Sequence, residues 1–529
     1  MKKLFLLLFI PFIVFQAKSQ TGSQILPREN SKLNYTIIGF SFPPVSKVNS
    51  YTIEIAQGNY NTESSFKKNI IRSLNTNTNR MVAKVPSFGI QYTWRIVYHD
   101  NQPSGSSSAL HHFSTKTSPN IDTNNVRLRI LKTAEKYKDA YVFFDESRVL
   151  YDMEGNPVWF LPDLDSSVNE NCLPRDIKIT PQGTITFLVT DKGYEINYNC
   201  DILWTTPHNG KVSGDSIEHC HHEFTRLGNG HYMVLGYETA SEFLTNTPSD
   251  ESGLFVFSES SLTPGNMTGN ISDVLQKTRF YRKQQYGTVI EYDHAGNTVW
   301  SYRSSGYFNR SDLFFHKEET GMPNTKVHDN GFYFDETAKM LYMSFKDISR
   351  VIKIKYPEGT TVDTYGELFN PGAVQNRGYG LFCGQHSARS SAKGYLYMLN
   401  NNACNWPALP TVIMMQQPVS GNDSLKKIWE YQCTVDDMDQ KDKANLHLTS
   451  GGNVLELPDN SLFVSTGSMY SKTFIVTMDK KILWSALPEK WNSTEHKWEP
   501  LTQYRASIIN NQKDLEHLIW NEEIEKTTF

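Results

Sequence analysis

The sequence contains no long run of charges of one sign. Its 529 residues carry 52 lysine and arginine side chains against 56 aspartate and glutamate side chains, which gives a net charge of −4. Nucleic-acid-binding proteins usually carry a basic patch or tail, so the balanced charge argues against a nucleic-acid partner. The chain also lacks a glycine-rich phosphate loop, and the sequence therefore predicts no nucleotide cofactor.

Long apolar segments are also absent, because beyond the N-terminus no stretch reaches the roughly 18 residues that a membrane-spanning helix needs. The N-terminus has Lys2-Lys3, an apolar run over residues 4–15 and a small-residue cleavage site at Ala17-Lys18-Ser19. This pattern predicts a signal peptide over residues 1–19. No cysteine follows the cleavage site to accept a lipid. The mature chain is therefore predicted to be soluble, without a membrane span, and periplasmic or secreted.

Cysteines are few. The six are Cys172, Cys200, Cys220, Cys383, Cys404 and Cys433. Export permits disulfides, but six cysteines allow fifteen complete pairings and the sequence alone does not choose among them. Cys383 with Cys404 is the favoured pair, because both flank one predicted strand.

Aromatic residues, in contrast, make up 12% of the chain, and many stand beside β-branched residues, as in Tyr141-Val142-Phe143-Phe144. Such composition favours strands. Over residues 20–115, short alternating segments such as Tyr92–Tyr98 predict an N-terminal β-sandwich that resembles fibronectin type III domains. A linker is predicted at residues 116–125, where Ser, Thr, Asn and Pro are common.

From residue 126 to 529 one pattern recurs six times, an apolar strand, a turn and a second strand that often ends in tryptophan. These hairpins begin at Val149, Tyr194, Val289, Val351, Val412 and Phe474. Repeats of this size cannot bury their faces alone and are expected to stack around an axis. The sequence therefore predicts an all-β protein with a six-bladed β-propeller and a C-terminal extension that includes a helix around Gln512–Trp520. A β-helix or a pair of sandwiches is the alternative.

A second recurring unit consists of a polar residue followed by a turn and an apolar strand. Aligned by their turns, these units place five residues at equivalent positions: Arg175, His222, Asn330, His386 and Gly452. Equivalent positions on inner strands meet around one funnel on a propeller axis. A core would use apolar residues there, because buried polar groups without partners are costly. The residues therefore predict a functional funnel, with hydrogen bonding between blades as the alternative.

The run Glu218-His219-Cys220-His221-His222-Glu223 contains the residue types that bind zinc. Neighbours on a strand point to opposite faces, so only alternate members of the run are expected to reach one ion. The sequence therefore predicts no metal site. His111-His112, in the predicted sandwich, is assigned to the surface.

The order of several short motifs resembles the bacterial arylsulfotransferases, exported sulfotransferases that do not use PAPS. The matching motifs are His221-His222-Glu223, Leu227-Gly228-Asn229-Gly230, His328-Asp329-Asn330 followed by Asp335, Ser349-Arg350-Val351-Ile352-Lys353-Ile354, Gln385-His386 and Tyr504-Arg505-Ala506. The resemblance implies a six-bladed propeller, an N-terminal β-domain involved in forming a homodimer, and a histidine that carries the sulfuryl group.

The resemblance also implies catalytic roles for single residues. The nucleophilic histidine of the family falls on His386 and its helper histidine on His222. The family's H-x-N motif matches His328 and Asn330. The family's arginine in the following strand falls on Lys346, which offers a point charge where arginine offers a planar fork.

Three further residues are assigned to substrate binding, Arg175, Arg350 and Tyr504. Arg350 lies close to Lys346 in the sequence and is the candidate to supply the missing guanidinium. Ser387 follows the nucleophilic histidine where an acidic residue is common in the family, which leaves open how the ring of His386 is oriented.

These residues support ping-pong transfer from a small phenolic sulfate donor to a phenolic acceptor, with no metal or cofactor. Neutral His386 attacks sulfur, and Asn330, His328, Lys346 and Arg175 hold the sulfate oxygens. His222 gives a proton to the departing phenolate and later accepts one from the second phenol. Two alternatives stay open, because propellers host many functions. One is a non-catalytic propeller that binds a glycan or a protein, and the other is a polysaccharide-processing enzyme.

Overall fold

The computed structural model describes residues 24–99, 106–169, 171–215, 217–245, 256–257, 279–308, 316–317, 323–324, 328–366, 381–403, 409–419, 424–434, 450–467 and 471–521. The predicted signal peptide lies outside these residues. The described chain is nearly all β and forms two compact units, residues 24–33 with 37–115, and residues 34–36 with 116–521. No helix in the described ranges is long and apolar enough to cross a membrane.

The first unit contains two sheets and one short helix. Its elements are β1 Ser31–Leu33, β2 Ile37–Ser41, β3 Ser50–Gln57, α1 Glu63–Lys68, β4 Ile70–Thr76, β5 Arg80–Lys84, β6 Gln91–His99 and β7 His111–Thr115. The larger sheet has the order β1-β7-β6-β3-β4, and β2 pairs with β5. Phe40 of β2 packs edge-on against Trp94 of β6, with ring centroids 4.9 Å apart. The two sheets therefore share one apolar core.

The second unit contains six larger sheets within the described ranges, and their strands are antiparallel apart from one short edge pairing. Sheet 1 has β9 Tyr141–Phe144, β10 Val149–Asp152 and β11 Pro157–Phe160; sheet 2 has β12 Arg175–Ile179, β13 Ile185–Val189, β14 Lys192–Ile196 and β15 Ile202–Thr205; sheet 3 has β16 Cys220–Arg226, β17 Tyr232–Thr245, β18 Val256–Phe257, β19 Arg279–Tyr292 and β20 Thr298–Arg303. A separate pair is β21 His316–Lys317 with β22 Pro323–Asn324.

The remaining sheets follow in chain order. Sheet 4 has β23 Asp329–Asp335, β24 Met340–Phe345, β25 Arg350–Lys355 and β26 Thr360–Tyr365; sheet 5 has β27 His386–Ser390, β28 Leu396–Asn400, β29 Thr411–Gln416 and β30 Lys426–Gln432; sheet 6 has β31 Asn453–Glu456, β32 Leu462–Ser465, β33 Thr473–Val476, β34 Ile482–Asn492 and β35 Lys497–Pro500. Short 3-10 turns lie at Pro119–Ile121, Glu135–Tyr137 and Ser304–Gly306.

Two sheets take a strand from the opposite end of the unit. β8 Val126–Lys132 pairs with β34, and β36 Ala506–Ile509 pairs with β9. The helix α2 Gln512–Trp520 follows β36, as the sequence predicts. Both ends of the unit are thereby held by backbone hydrogen bonds to distant segments.

The six predicted hairpins are all present, as the last two strands of sheets 1, 2, 4 and 5, as β19 with β20 in sheet 3, and as β33 with β34 in sheet 6. Strands such as β13, β28 and β32 are buried along their whole length. Each sheet therefore packs on both faces, which explains runs of apolar residues without alternation. One core, for example, joins Trp204 of β15 with Tyr232 of β17, and their rings stack 3.7 Å apart.

Tryptophans at the ends of five hairpins link successive sheets. Their indole N–H groups donate to backbone carbonyls in the next sheet: Trp159 to Tyr198, Trp204 to His294, Trp300 to Pro357, Trp429 to Met478 and Trp484 to Met153. Between sheets 4 and 5 the hydroxyl of Tyr365 donates to Gln417 at 2.8 Å instead. The bond from Trp484 runs from sheet 6 to sheet 1, so the series of contacts returns to its start.

The cysteines differ in state. Cys383 is disulfide-bonded, whereas Cys172, Cys200, Cys220 and Cys433 are free. The predicted partner, Cys404, lies outside the described residues.

Candidate functional site

The site is built at the start of the first strands of sheets 2 to 5, together with the segment that precedes β36 of sheet 1. Tyr504, just before β36, has its ring 5.6 Å from the ring of His222 and 6.4 Å from the ring of His386. His222 in turn lies 5.2 Å from His328, which directly precedes β23. The guanidinium carbon of Arg175, the first residue of β12, is 4.8 Å from the centre of the Tyr504 ring. Three of the residues predicted from sequence thus surround Tyr504, and His328 joins them through His222.

A shared backbone irregularity turns these side chains toward one another. Pairing shifts by a bulge near the start of β12, β16, β23 and β27. In these segments Asp176, His222, His328 and Ser387 have left-handed φ values of 58°, 60°, 40° and 55°. Such values are uncommon for residues other than glycine and are maintained by their surroundings. A bulge also re-aims side chains, which is its effect here.

His386 is buried, and both of its ring nitrogens are engaged. Nδ1 lies 2.7 Å from Oδ1 of Asn401, an oxygen that can only accept, so Nδ1 carries the hydrogen. The backbone N–H of Gly451 donates to Nε2 at 3.1 Å. Burial, together with the nearby cations Lys346 and Arg505, lowers the pKa of His386 to about 3. His386 is therefore neutral, with the lone pair on Nε2.

His221 and His222 lie side by side, although they are neighbours on a strand. Their Nδ1 atoms are 2.6 Å apart. The expectation that adjacent members of this run point to opposite faces is wrong here, because the left-handed backbone of His222 breaks the alternation. Burial and neighbouring histidines lower the pKa of His221 to about 3 and hold the pKa of His222 well below its usual range. Even so, no group of three metal-ligating side chains occurs within the described ranges.

Tyr504 forms the aromatic centre of the site. Its hydroxyl oxygen is buried and has no hydrogen-bond partner among the described residues. Burial raises its pKa to about 12, so the hydroxyl keeps its proton. The carbonyl of Tyr504 accepts from the N–H of Gly452 at 2.7 Å. A Cβ atom at Gly451 would come within 2.9 Å of the Tyr504 ring, so glycine is required beside it.

The other predicted site residues, Asn330, Lys346 and Arg350, contact His328 or Gln385, the residue before His386. Asn330 is fully buried and its amide donates to the carbonyl of Gln385 at 2.6 Å, which fixes the chain just before His386. The backbone N–H of Lys346 donates to the carbonyl of His328 at 2.9 Å. The positive charge of the Lys346 side chain acts on His386. Arg350 is also fully buried. Its guanidinium lies 6.0 Å from the centre of the Tyr307 ring, and its carbonyl accepts from Gln385.

A buried ionic network, unforeseen from sequence, lies next to the histidines. Arg505 donates to Asp176 at 2.8 Å and to Glu223 at 2.6 Å. Lys178 contacts the same two carboxylates, and Arg389 contacts Glu223 at 3.4 Å. Although burial raises the pKa of Glu223, these three cations together bring it below its usual range. The network joins strands of sheets 2, 3 and 5 to the segment that carries Tyr504.

Sequence reasoning also missed Asn401. It follows β28, whose Leu399 pairs with His386 in the sheet. The only signal in the sequence is the run Asn400-Asn401-Asn402 at the end of a predicted strand. Three consecutive amides there indicate side chains that bond to neighbouring groups.

Comparisons with known proteins give one sequence match and several distant structural ones. The family model described as Arylsulfotransferase (ASST) matches residues 127–431. No curated protein matches this chain. Among solved structures, a protein of unknown function from Bacteroides caccae is 10% identical with a TM-score of 0.38, and the match covers 70% of this chain and 98% of that one. The periplasmic gluconolactonase of Pseudomonas aeruginosa is 10% identical with a TM-score of 0.31, covering 87% and 99%. The Cps50 (Swd1) β-propeller domain of Myceliophteria thermophila is 7% identical with a TM-score of 0.31, covering 68% and 89%.

Proposed function

This chain belongs to the arylsulfotransferase family, and from that premise we propose that it transfers a sulfuryl group from a phenolic sulfate ester to a phenolic acceptor without PAPS. The observation that carries the proposal is the state of His386. Its ring is neutral, its hydrogen is held on Nδ1 by Asn401, and Nε2 accepts from the N–H of Gly451. The ring of His386 lies 6.4 Å from the ring of Tyr504, and the charge of Lys346 acts on it. A nucleophile in this state needs no base to activate it.

In the first half of the reaction, Nε2 of His386 forms a bond to sulfur as the bond from sulfur to the phenolic oxygen breaks. The Gly451 N–H leaves Nε2 at this point and becomes free to donate to a sulfate oxygen. The ring acquires positive charge, which the bond from Nδ1–H to Asn401 stabilises. In the second half the oxygen of an acceptor phenol bonds to sulfur as the bond from sulfur to Nε2 breaks. His222 accepts the proton of that phenol, as it supplies one to the first phenolate, and His386 returns to its neutral form.

The sulfate oxygens need donors, and the site offers cations and N–H groups around Tyr504. We assign this role to Arg175, His328 and Lys346, with the second amide hydrogen of Asn330. Donors that are already in place stabilise charge in the transition state at little reorganisation cost. Arg350 is proposed to bind substrate from the side of Tyr307. The ring and hydroxyl of Tyr504 suit a phenolic group, because they offer a stacking face and an unused donor.

We further propose that sheets 1 to 6 are the blades of a six-bladed β-propeller over residues 126–529. The tryptophan bonds that lead from sheet 6 back to sheet 1 support this arrangement. The sandwich at residues 20–115 is proposed to be fibronectin type III-like and to mediate a homodimer, with residues 116–125 as the linker. Residues 1–19 are proposed to be a signal peptide that directs the chain to the periplasm or the exterior.

The test is release of a coloured phenol from 4-nitrophenyl sulfate, with and without added phenol and without PAPS. Wild-type protein is expected to release the phenol faster when acceptor is present, and His386→Ala is expected to lose the release. His208→Ala, at an exposed histidine of the same unit, serves as the matched control. Mass spectrometry of the enzyme mixed with donor alone should find an added SO₃ on the peptide that contains His386.

Two outcomes would count against the proposal. Equal release by wild-type protein and His386→Ala would remove His386 from the reaction. No release by either protein, with circular dichroism showing intact folds, would favour a propeller that binds a glycan or a protein through the same residues.

A further inference from the structure

Transfer between phenols requires a proton to leave with the first product and to return with the second substrate. The ring of His222 lies 5.6 Å from the ring of Tyr504, yet the pKa of His222 lies well below the usual range, so it does not hold a second proton. A neutral imidazole is a weak acid. It donates its N–H proton efficiently only when another group gives a proton to its second ring nitrogen. Another group must therefore supply a proton to His222.

His222, His221 and Asp329 form a continuous series of contacts. Nδ1 of His222 is 2.6 Å from Nδ1 of His221. On the far side of the His221 ring, Nε2 lies 3.5 Å from Oδ2 of Asp329. Both of these last two atoms are buried and neither has a hydrogen-bond partner among the described residues. Two unsatisfied polar atoms that face each other in a buried position are costly unless a shared hydrogen joins them.

We propose that Asp329 and His221 form a proton relay to His222, in which Asp329 stores the proton that the first phenol takes and the second phenol returns. This inference rests on the proposed transfer through His386. It assigns to His221 and Asp329 a role that acts through His222, since neither is placed against the substrate.

Each transfer in the relay is balanced. As the S–O bond breaks, Nε2–H of His222 gives its proton to the departing phenolate oxygen. Nδ1–H of His221 passes to Nδ1 of His222, and the carboxylic acid of Asp329 passes its proton to Nε2 of His221. Both histidines stay neutral and Asp329 becomes a carboxylate. The acceptor phenol reverses the three transfers as its oxygen bonds to sulfur.

The surroundings of His222, His221 and Asp329 favour a relay in which Asp329 stores the proton and both histidines stay neutral. Burial raises the pKa of Asp329 well above its usual range, so it holds a proton before the reaction. The charges of His219, Arg175 and His328 act on His221, and those of His328, Arg505 and His386 act on His222, and all of them disfavour added positive charge there. The backbone of Gly236 favours protonation of His221, but burial and these charges outweigh it. The uncharged rings of Tyr237 and Tyr504 lie 5.6 Å from the rings of His221 and His222, respectively. A relay in which no histidine becomes charged avoids this repulsion.

The experiment compares two donors that differ in how much their leaving groups need a proton. Phenyl sulfate releases a phenol with a pKa of about 10, whereas 4-nitrophenyl sulfate releases a much more acidic one. In full-length protein, Asp329→Asn is expected to slow phenyl sulfate about 10²-fold, the lower end of general-acid effects, and to change 4-nitrophenyl sulfate by less than about threefold. His221→Gln is the second variant, with the same expected pattern, and His219→Gln is the matched control with no change in the ratio.

The outcomes separate the relay from the proposed function. Equal losses on both donors, or no loss on either, would overturn the relay, because a structural role does not distinguish leaving groups. Asp329→Asn should still form the sulfated His386 peptide from 4-nitrophenyl sulfate. If His386→Ala also releases both phenols at wild-type rates, the proposed function fails and the relay fails with it.

Discussion

At the scale of single residues, Asn401 decides which ring nitrogen of His386 carries the hydrogen and which carries the lone pair. Its oxygen accepts from Nδ1 at 2.7 Å, and its amide donates to the carbonyl of Gly451 at 3.1 Å. Gly451 in turn donates to Nε2. Asn401 is therefore held from two sides and cannot rotate without breaking a buried hydrogen bond. The tautomer of His386 follows from this arrangement, since an amide oxygen accepts but never donates.

We expect Asn401→Ala to slow formation of the sulfated enzyme by about 10²-fold, less than the ~10⁴-fold cost of holding a catalytic imidazole in the wrong tautomer. Asn401→Asp keeps the acceptor but adds negative charge, which favours the protonated ring and raises the pKa of His386 above about 3. Since only the neutral ring attacks, the rate in Asn401→Asp should fall as the pH is lowered through the raised pKa. Rapid-mixing measurement of phenol release against pH checks both expectations.

The control for this comparison is Asn400→Ala. Asn400 is an adjacent buried asparagine whose side chain bonds to Cys383 and Thr411 rather than to His386. It should lower stability without altering the pH profile of the first step. An Asn401→Ala variant that retains the wild-type rate, or an Asn401→Asp variant with an unchanged profile, would show that another group orients the ring.

The sequence identified His386 but not its partner, for a physical reason. His386, His222 and His328 belong to short motifs that can be recognised one at a time. Asn401 meets His386 only through the pairing of β27 with β28, in a register that includes the bulge between His386 and Arg389. A bond that depends on an irregular register cannot be inferred from spacing along the chain.

At the scale of elements, the strands β12, β16, β23 and β27 combine regular pairing with a bulge near their start. The bulge at β27 is supported by Ser387, whose hydroxyl accepts from the N–H of Val454 at 3.3 Å and from Arg389 at 3.2 Å, and donates to the carbonyl of Val454 at 3.3 Å. These contacts hold a residue with a φ of 55° in place beside His386. The orientation of the His386 ring thus depends on the backbone at the start of β27 as well as on the contacts of the ring.

Replacement of Ser387 tests this arrangement. Ser387→Val places a β-branched side chain at a left-handed φ and removes the three hydrogen bonds of the hydroxyl, so we expect about 1–3 kcal/mol less stability and a marked loss of phenol release. Ser387→Gly tolerates the same backbone and should retain most of the activity. Thermal unfolding and the initial rate with 4-nitrophenyl sulfate measure the two effects. Similar activity in both variants would mean that the bulge does not position His386.

Hairpins and bulges also differ in how far the sequence predicts them. The six hairpins follow from local patterns, apolar strands separated by turn residues, and all six are present. The bulges carry Asp176, His222, His328 and Ser387 rather than glycine at left-handed positions. No residue type in the sequence indicates these bulges. Strict alternation is therefore predicted at His221 and His222, and that prediction is wrong.

At the scale of the whole molecule, the second unit is held at both of its ends. β8 adds to sheet 6 and β36 adds to sheet 1, while the tryptophan bonds connect neighbouring sheets. Arg505 directly precedes β36 and binds carboxylates on strands of sheets 2 and 3. The same short segment thus completes a sheet, enters the ionic network and carries Tyr504 into the site.

Arg505 is the point at which loss of one side chain should affect both stability and activity. Arg505→Met leaves Asp176 and Glu223 buried with less compensating charge, and removing one partner of a buried ion pair costs about 3–5 kcal/mol. Arg127→Met is the matched control, because the ion pair of Arg127 with Glu489 is partly exposed and lies at the other end of the unit. Exposed ion pairs contribute about 0–1 kcal/mol.

Chemical denaturation followed by tryptophan fluorescence measures the stability of both variants, and phenol release reports the position of Tyr504. We expect Arg505→Met to lose several times more stability than Arg127→Met and to lose activity under conditions where it is still folded. Equal losses in the two variants would mean that β36 is held by its strand pairing alone, with the ionic network contributing nothing to the stability of the unit.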